Sequence, residues 1–147
     1  MEFGWINIFG AIIVAVMLIP NMVYAVRNKD ERNLCTNKGM NLIEQVGRYA
    51  CIILMWLPLF VWKFGFPSVF EMLFYLVGNG LLLIAYLFVY VLYLKEKNDR
   101  RAIILAVLPA CIFILSGLLL RHWSLIGFSI LFAIGHIYVT KKNIEAS

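Results

Sequence analysis

LIEQVGRYACIILMW, residues 42–56, places Glu44, Gln45 and Arg48 at the head of an otherwise apolar run. Length decides whether these polar residues end a loop or enter a membrane helix. A helix starting after Arg48, at Tyr49, leaves 14 residues before Lys63, or about 21 Å, too short for a hydrocarbon core of about 30 Å. Starting at Leu42 gives 21 residues through Trp62, about 31 Å. Glu44 and Arg48 are therefore expected within the first two turns of the helix. Their i to i+4 spacing, acid first, lets them pair on one face, which continues through Cys51, Met55 and Pro58.

The rest of the chain reads in the same way. Its 147 residues are 63% apolar and 14% charged, with a mean hydropathy of +0.89, far from the composition of a soluble globular domain. Apolar runs near 20 residues exclude an outer-membrane barrel, whose strands alternate over about ten residues. Borders marked by charge or proline place spans at 5–26, 42–62, 67–94, 102–120 and 123–140. The expectation is one all-α domain over residues 1–147, a polytopic bundle of five transmembrane helices. The first span has no Lys or Arg before it and no small-x-small site after it, and so is read as a retained helix. Short connections near 63–66 and 121–122 predict that the second and third helices, and the fourth and fifth, are antiparallel neighbours.

Charge gives an orientation. Eleven of the thirteen Lys and Arg residues flank one set of helix ends, around 27–48, 95–101 and 141–142, and only Lys63 and Arg121 flank the other. The positive-inside rule then predicts an outer N-terminus and a cytoplasmic C-terminus in the cell membrane. Trp5, Trp62 and Trp123 fall at the outer border, and Tyr24, Tyr93 and Tyr138 precede the inner basic clusters, as interfacial aromatics do. The net charge of +5 is thereby assigned to loops beside anionic lipid, with no nucleic-acid partner expected. Cys35, Cys51 and Cys111 form no C-x-x-C and have no His at metal spacing, so they are read as reduced, buried small residues, with neither metal nor cofactor.

Several polar residues stand out from lipid-facing surface. Pro20 and Asn21 lie near the basic end of the first helix, where the amide can cap a carbonyl freed by proline or reach a neighbour. The third helix carries Glu71, Tyr75, Asn79, Leu82, Tyr86, Tyr90 and Tyr93 in steps of three or four, one face of a helix. That face is either an aromatic packing seam or the wall of a polar path. Gly78 and Gly80 beside Asn79 would admit another backbone or a bend. In the fifth helix Ser129, Ala133 and His136 make a small-residue face that turns His136 inward, as a packing residue or a proton carrier. His122, in a tight turn, is expected to be exposed. Asn21, Glu44, Arg48 and His136 share one depth; with Tyr86, Tyr90 and the deeper Asn79 they form the candidate polar site.

These features point to transport of a small polar solute or ion. Five helices from 147 residues are expected to enclose little volume, so transport implies a homodimer or larger assembly. The alternatives are a non-catalytic membrane-embedded subunit or regulator bound to a membrane protein partner, and, third, a membrane enzyme. No H-x-x-x-H, paired acids, nucleophile motif or glycine-rich phosphate loop supports the last. The segment IPNMVYAVRNKD, residues 19–30, resembles the Pro-Gln loop of small sugar and amino-acid carriers, with Asn21 in place of the usual Gln. The chain lacks that family's second motif and its three- or seven-helix count.

Overall fold

The computed structural model describes residues 4–57, 59–61 and 65–147. Pro58, Trp62 and Lys63, assigned above to the second helix and its outer border, lie outside them. Five α-helices make up the fold: α1 (Ile8–Arg27), α2 (Lys38–Trp56), α3 (Val69–Lys95), α4 (Asp99–Leu119) and α5 (Trp123–Ala146). The first four begin at a polar cap, Asn7, Asn37, Ser68 and Asn98, whose side chain accepts from a backbone amide of the first turn. Pro20 and Pro109 are both accommodated inside continuous helices.

Four helices, α1, α3, α4 and α5, are long and apolar enough to cross a membrane, and these mark the chain as a membrane protein. Helix α2 is the exception, being 19 residues long and carrying Lys38, Glu44 and Arg48. It also sits four residues earlier than the expected 42–62 at its start and ends six residues sooner. Asn37 supplies a cap that accepts from Met40 N at 3.2 Å, and Leu57 leaves the helical region at φ −104°, ψ 129°. Leu57 precedes Pro58, and the residue before a proline is driven to extended backbone. Length arithmetic tied to Lys63 passed over both signals.

Contacts run from α1 to α2, α5, α4 and α3 and back to α1, with α2 also touching α4. The expected pairing of α4 with α5 is present. The expected pairing of α2 with α3 is not: α2 packs chiefly along α5, and α1 lies between α2 and α3. Because α2 ends at Trp56 and α3 begins at Val69, that connection is longer than four residues, which frees α3 to cross to the far side.

Glycine sets the α2–α5 approach. A Cβ at Gly47 would lie 2.8 Å from the Phe132 backbone, and one at Gly135 would lie 2.8 Å from the Glu44 backbone. The two helices therefore meet backbone to backbone at two reciprocal points, as small residues permit in membrane bundles. A Cβ at Gly10 would run into Met55 O, so α1 presses on the last turn of α2. Gly80 meets nothing, and Gly78 meets only the side chain of Leu115. The expected backbone approach beside Asn79 is thus absent; it occurs on α2 and α5.

Candidate functional site: a cavity shared by five helices

The α2–α5 contact brings Glu44 beside His136. The carboxylate is 6% exposed; its Oε1 lies 3.0 Å from His136 Nδ1 and also accepts from Arg48 Nη2. The expected i to i+4 ion pair is present, and it carries His136 as a third member. Phe132, one turn before His136, stacks on the imidazole at 4.9 Å with 17° between the planes. Glu44 is thereby fixed by two donors, whereas the Arg48 side chain keeps 43% of its surface accessible.

That surface faces a cavity of about 400 Å³ to which every helix contributes. Asn21, Arg48, Tyr86, Tyr90 and His136 all line it, with Ile52, Leu105, Ala106, Pro109 and Phe113 forming an apolar wall. Glu44 stands behind Arg48 and His136 and does not itself line the space. Asn21 uses its amide on its own i−4 carbonyl, Met17 O at 3.2 Å, and not on a neighbouring helix or on the Val16 carbonyl that Pro20 leaves without its amide donor. The Tyr90 hydroxyl donates to Pro20 O at 2.6 Å, tying α3 to α1. Tyr86, also from α3, borders the same space.

Towards the end rich in Lys and Arg, the cavity meets a wider space of about 1030 Å³. Tyr24, Tyr93, Ala102 and Thr140 belong to both linings and mark the neck. The Tyr24 ring sits 6.4 Å from Tyr90 and 6.2 Å from Tyr93. Its hydroxyl donates to Glu31. Lys97 Nζ donates to the other oxygen of the same carboxylate and lies 5.7 Å above the Tyr24 ring. Donation by Lys97, then by Tyr24, holds the Glu31 carboxyl below its usual pKa. This cluster joins the α1–α2 loop, the α3–α4 connection and the neck.

The opposite half of the bundle is packed. Asn79, expected in the polar layer, lies apart from the cavity and is fully buried; it donates to Tyr75 O at 3.0 Å and accepts from Ser116 Oγ at 3.2 Å. Asn7 is also fully buried and joins three helices. Its Oδ1 accepts from Gly10 N, its Nδ2 donates to Met55 O and to the Tyr75 hydroxyl, and its backbone N–H donates to Trp56 O at 2.7 Å. His122, expected to be exposed, is fully buried, with Nε2 2.9 Å from Leu59 O. Leu59 reaches the α4–α5 turn at that contact, and the burial of His122 lowers its pKa.

Sequence reading passed over Asn7, Ser116 and the Glu31–Lys97 pair. An Asn immediately before an apolar helical run is a start signal that would have found the cap; its reach to α2 and α3 is tertiary. Lys97 and Glu31, 66 positions apart, carry no local signal. The three cysteines are free: Cys35 and Cys51 are buried, Cys111 is intermediate, and Cys51 Sγ sits 3.7 Å from Ser129 Oγ. Among the described residues no three His, Cys, Asp or Glu side chains gather to hold a metal. Compared with protein-family models, with curated proteins and with solved structures, the chain finds no match in any of the three.

Proposed function

We propose that the chain is a small carrier of the cell membrane that binds a polar solute in the central cavity and exchanges it with the cytoplasm. One observation carries this reading. All five helices line a single cavity that continues through the Tyr24–Tyr93–Thr140 neck to the basic end, while the other half is closed by buried Asn7, Tyr75, Asn79 and Ser116. A cavity open towards one side and plugged towards the other is one of the two end states alternating access requires.

The orientation follows from the positive-inside rule, which makes the basic end cytoplasmic. In this reading α2 crosses as a fifth span despite its polarity. Its last turn meets the start of α1 at the Asn7–Trp56 bond, so the two helices, 20 and 19 residues long, cover equal depth. Glu44 is buried and Arg48 lines the cavity, on the side where intramembrane charge is accommodated, and Lys38 stands at the exposed start of the helix. One chain encloses a cavity of about 400 Å³, within the range of small-molecule sites, so a solute site of this kind does not require a second copy.

The test is solute flux in proteoliposomes across a panel of small polar solutes, compared with a Leu105→Trp variant. Leu105 lines the cavity, and indole there fills it without touching the Glu44–His136 contact. Flux in the parent chain and none in the variant is the expected result. No flux across the panel, or equal flux in both, overturns the proposal.

A further inference from the structure

The solute-binding reading of the cavity leaves the solute's chemistry open, and the lining charges narrow it. Among the described residues no carboxylate lines the space; the cationic and basic groups there are Arg48 and His136. An ammonium group would meet Arg48 and find no counter-charge. An anion would find a guanidinium with one Nη on Glu44 and a flat fork of further N–H donors, whose spacing matches a carboxylate. Opposite stands the Tyr86 hydroxyl; Tyr90 is already committed to Pro20 O. The wall of Ile52, Leu105, Ala106, Pro109 and Phe113 suits a compact apolar body.

We propose that the cavity takes a small monocarboxylate with an apolar body together with one proton, the carboxylate on Arg48 and the proton on His136. Without ligand, Glu44 and Arg48 cancel. An added anion brings one uncompensated negative charge into a site largely removed from water, which is costly. A proton on the imidazole restores neutrality. Nδ1 faces the Glu44 oxygen at 3.0 Å, and an ionised carboxylate only accepts, so Nδ1 carries the hydrogen of the neutral ring and the added proton goes to Nε2.

The groups facing His136 come from every neighbouring element. They are Glu44 and Arg48 on α2, Tyr86, Tyr90 and Tyr93 across the cavity on α3, and Tyr24 on α1. Helix α4 contributes only uncharged residues, and on α5 itself Phe132 and Thr140 flank the ring. Imidazole is the side chain suited to exchange a proton between about pH 5 and 8.

The experiment is titration calorimetry on the full chain in lipid nanodiscs, with phenylacetate as probe. Comparators are phenylacetamide, of the same shape without charge, phenethylamine, a cation, and oleate, a carboxylate from the bilayer. Phenylacetate is expected to bind at least about tenfold more tightly than the amide, and phenethylamine not at all. Repeating the titration in buffers of different ionisation heat should show net proton uptake with the anion.

Arg48→Gln should weaken phenylacetate binding at least about tenfold, and Arg48→Lys should restore part of it. His136→Gln should bind the anion without proton uptake and without pH dependence. Equal binding of acid and amide overturns the proposal, as does undiminished binding in Arg48→Gln. Anion binding with no proton uptake in the parent chain overturns the coupling, and preference for oleate replaces a soluble solute with a lipid-derived acid. Should Arg48→Gln fail to fold, Arg48→Lys and Tyr86→Phe carry the test, and unchanged affinity in both overturns it. Flux is a separate readout. Phenylacetate bound but not moved removes the carrier reading and leaves this inference, whereas a neutral solute moved with no acid bound does the reverse.

Discussion

The two halves of this bundle hold polar side chains in similar company and use them differently. Away from the basic end, Asn7, Asn79, Ser116 and His122 are fully buried and bonded to backbone or to one another. Near the basic end, Asn21, Arg48, Tyr86 and His136 border open volume, and only Glu44 is shut in behind them. A polar residue inside a membrane bundle thus carries no functional meaning by type alone; what matters is whether the protein has already satisfied it. Asn79 and Asn21 make the case, one amide bonded into the packing and the other on the cavity wall.

The largest test of this division lies at the helix contact that creates the Glu44–His136 pair. Gly47→Ala and Gly135→Ala each drive a methyl to within 2.8 Å of facing backbone and should cost about 1–3 kcal/mol. Gly80→Ala, where nothing lies within 4 Å, should be neutral or gain up to about 1 kcal/mol from helix propensity. Thermal unfolding in detergent reads all three. Equal effects at Gly47 and Gly80 would show that α2 and α5 do not meet through glycine.

Next comes the packed half. Asn7→Ala removes an N-cap and a buried donor together and should cost about 2–3 kcal/mol. Asn79→Leu loses one interhelical bond, to Ser116, and one to its own helix, so about 1 kcal/mol is expected on the scale of intramembrane hydrogen bonds. Asn21→Leu should leave the stability within about 0.5 kcal/mol of the parent and alter only ligand binding. If Asn21→Leu destabilises as much as Asn79→Leu, the two halves are not different in kind.

Much of the bundle was legible in the chain, for reasons the same residues explain. The α3 face was readable because Tyr75, Asn79, Tyr86 and Tyr90 repeat at helical spacing, and these four are the buried residues of α3. The Glu44–Arg48 pair was readable because its geometry is intrahelical. The ends of α2 differ from 42–62 because the Asn37 cap and the extended residue before Pro58 bound the helix, and distance to Lys63 does not. That Asn79 stands apart from the cavity, and that α2 adjoins α5 and not α3, depend on which helices cross. No local pattern encodes this, although Gly47 and Gly135 fix it once the helices meet.

His122 offers a smaller effect with a definite sign. Burial lowers its pKa in the folded chain, so between the folded and the ordinary value the unfolded chain binds the extra proton. Stability is then complete above the ordinary imidazole value of about 6.5 and declines as pH falls through it towards the lowered one. The chain has two histidines, so a His136→Gln background isolates this one. There the melting temperature should fall on acidification, and His122→Gln should flatten that slope. A flat profile in the His136→Gln chain would mean that His122 is not shut away from water.

The smallest stability effect belongs to the neck, where it separates stability from access. Lys97 and Glu31 are about half exposed, at 51% and 47%, and water and salt screen such a pair, so Lys97→Met should cost at most about 0.5 kcal/mol. Glu31 is held below its usual pKa. Its contribution is therefore complete above the ordinary carboxylate value and is lost as pH falls through the lowered one. The same substitution frees the Glu31 carboxylate from the α3–α4 connection and removes the ammonium from the Tyr24 ring, loosening the residues where cavity and outer space join. A nearly unchanged melting temperature together with faster association of the cavity ligand in Lys97→Met is the expected result. Unchanged association would show that ligand enters by another route, with the Tyr24–Glu31–Lys97 cluster serving only to hold the α1–α2 loop.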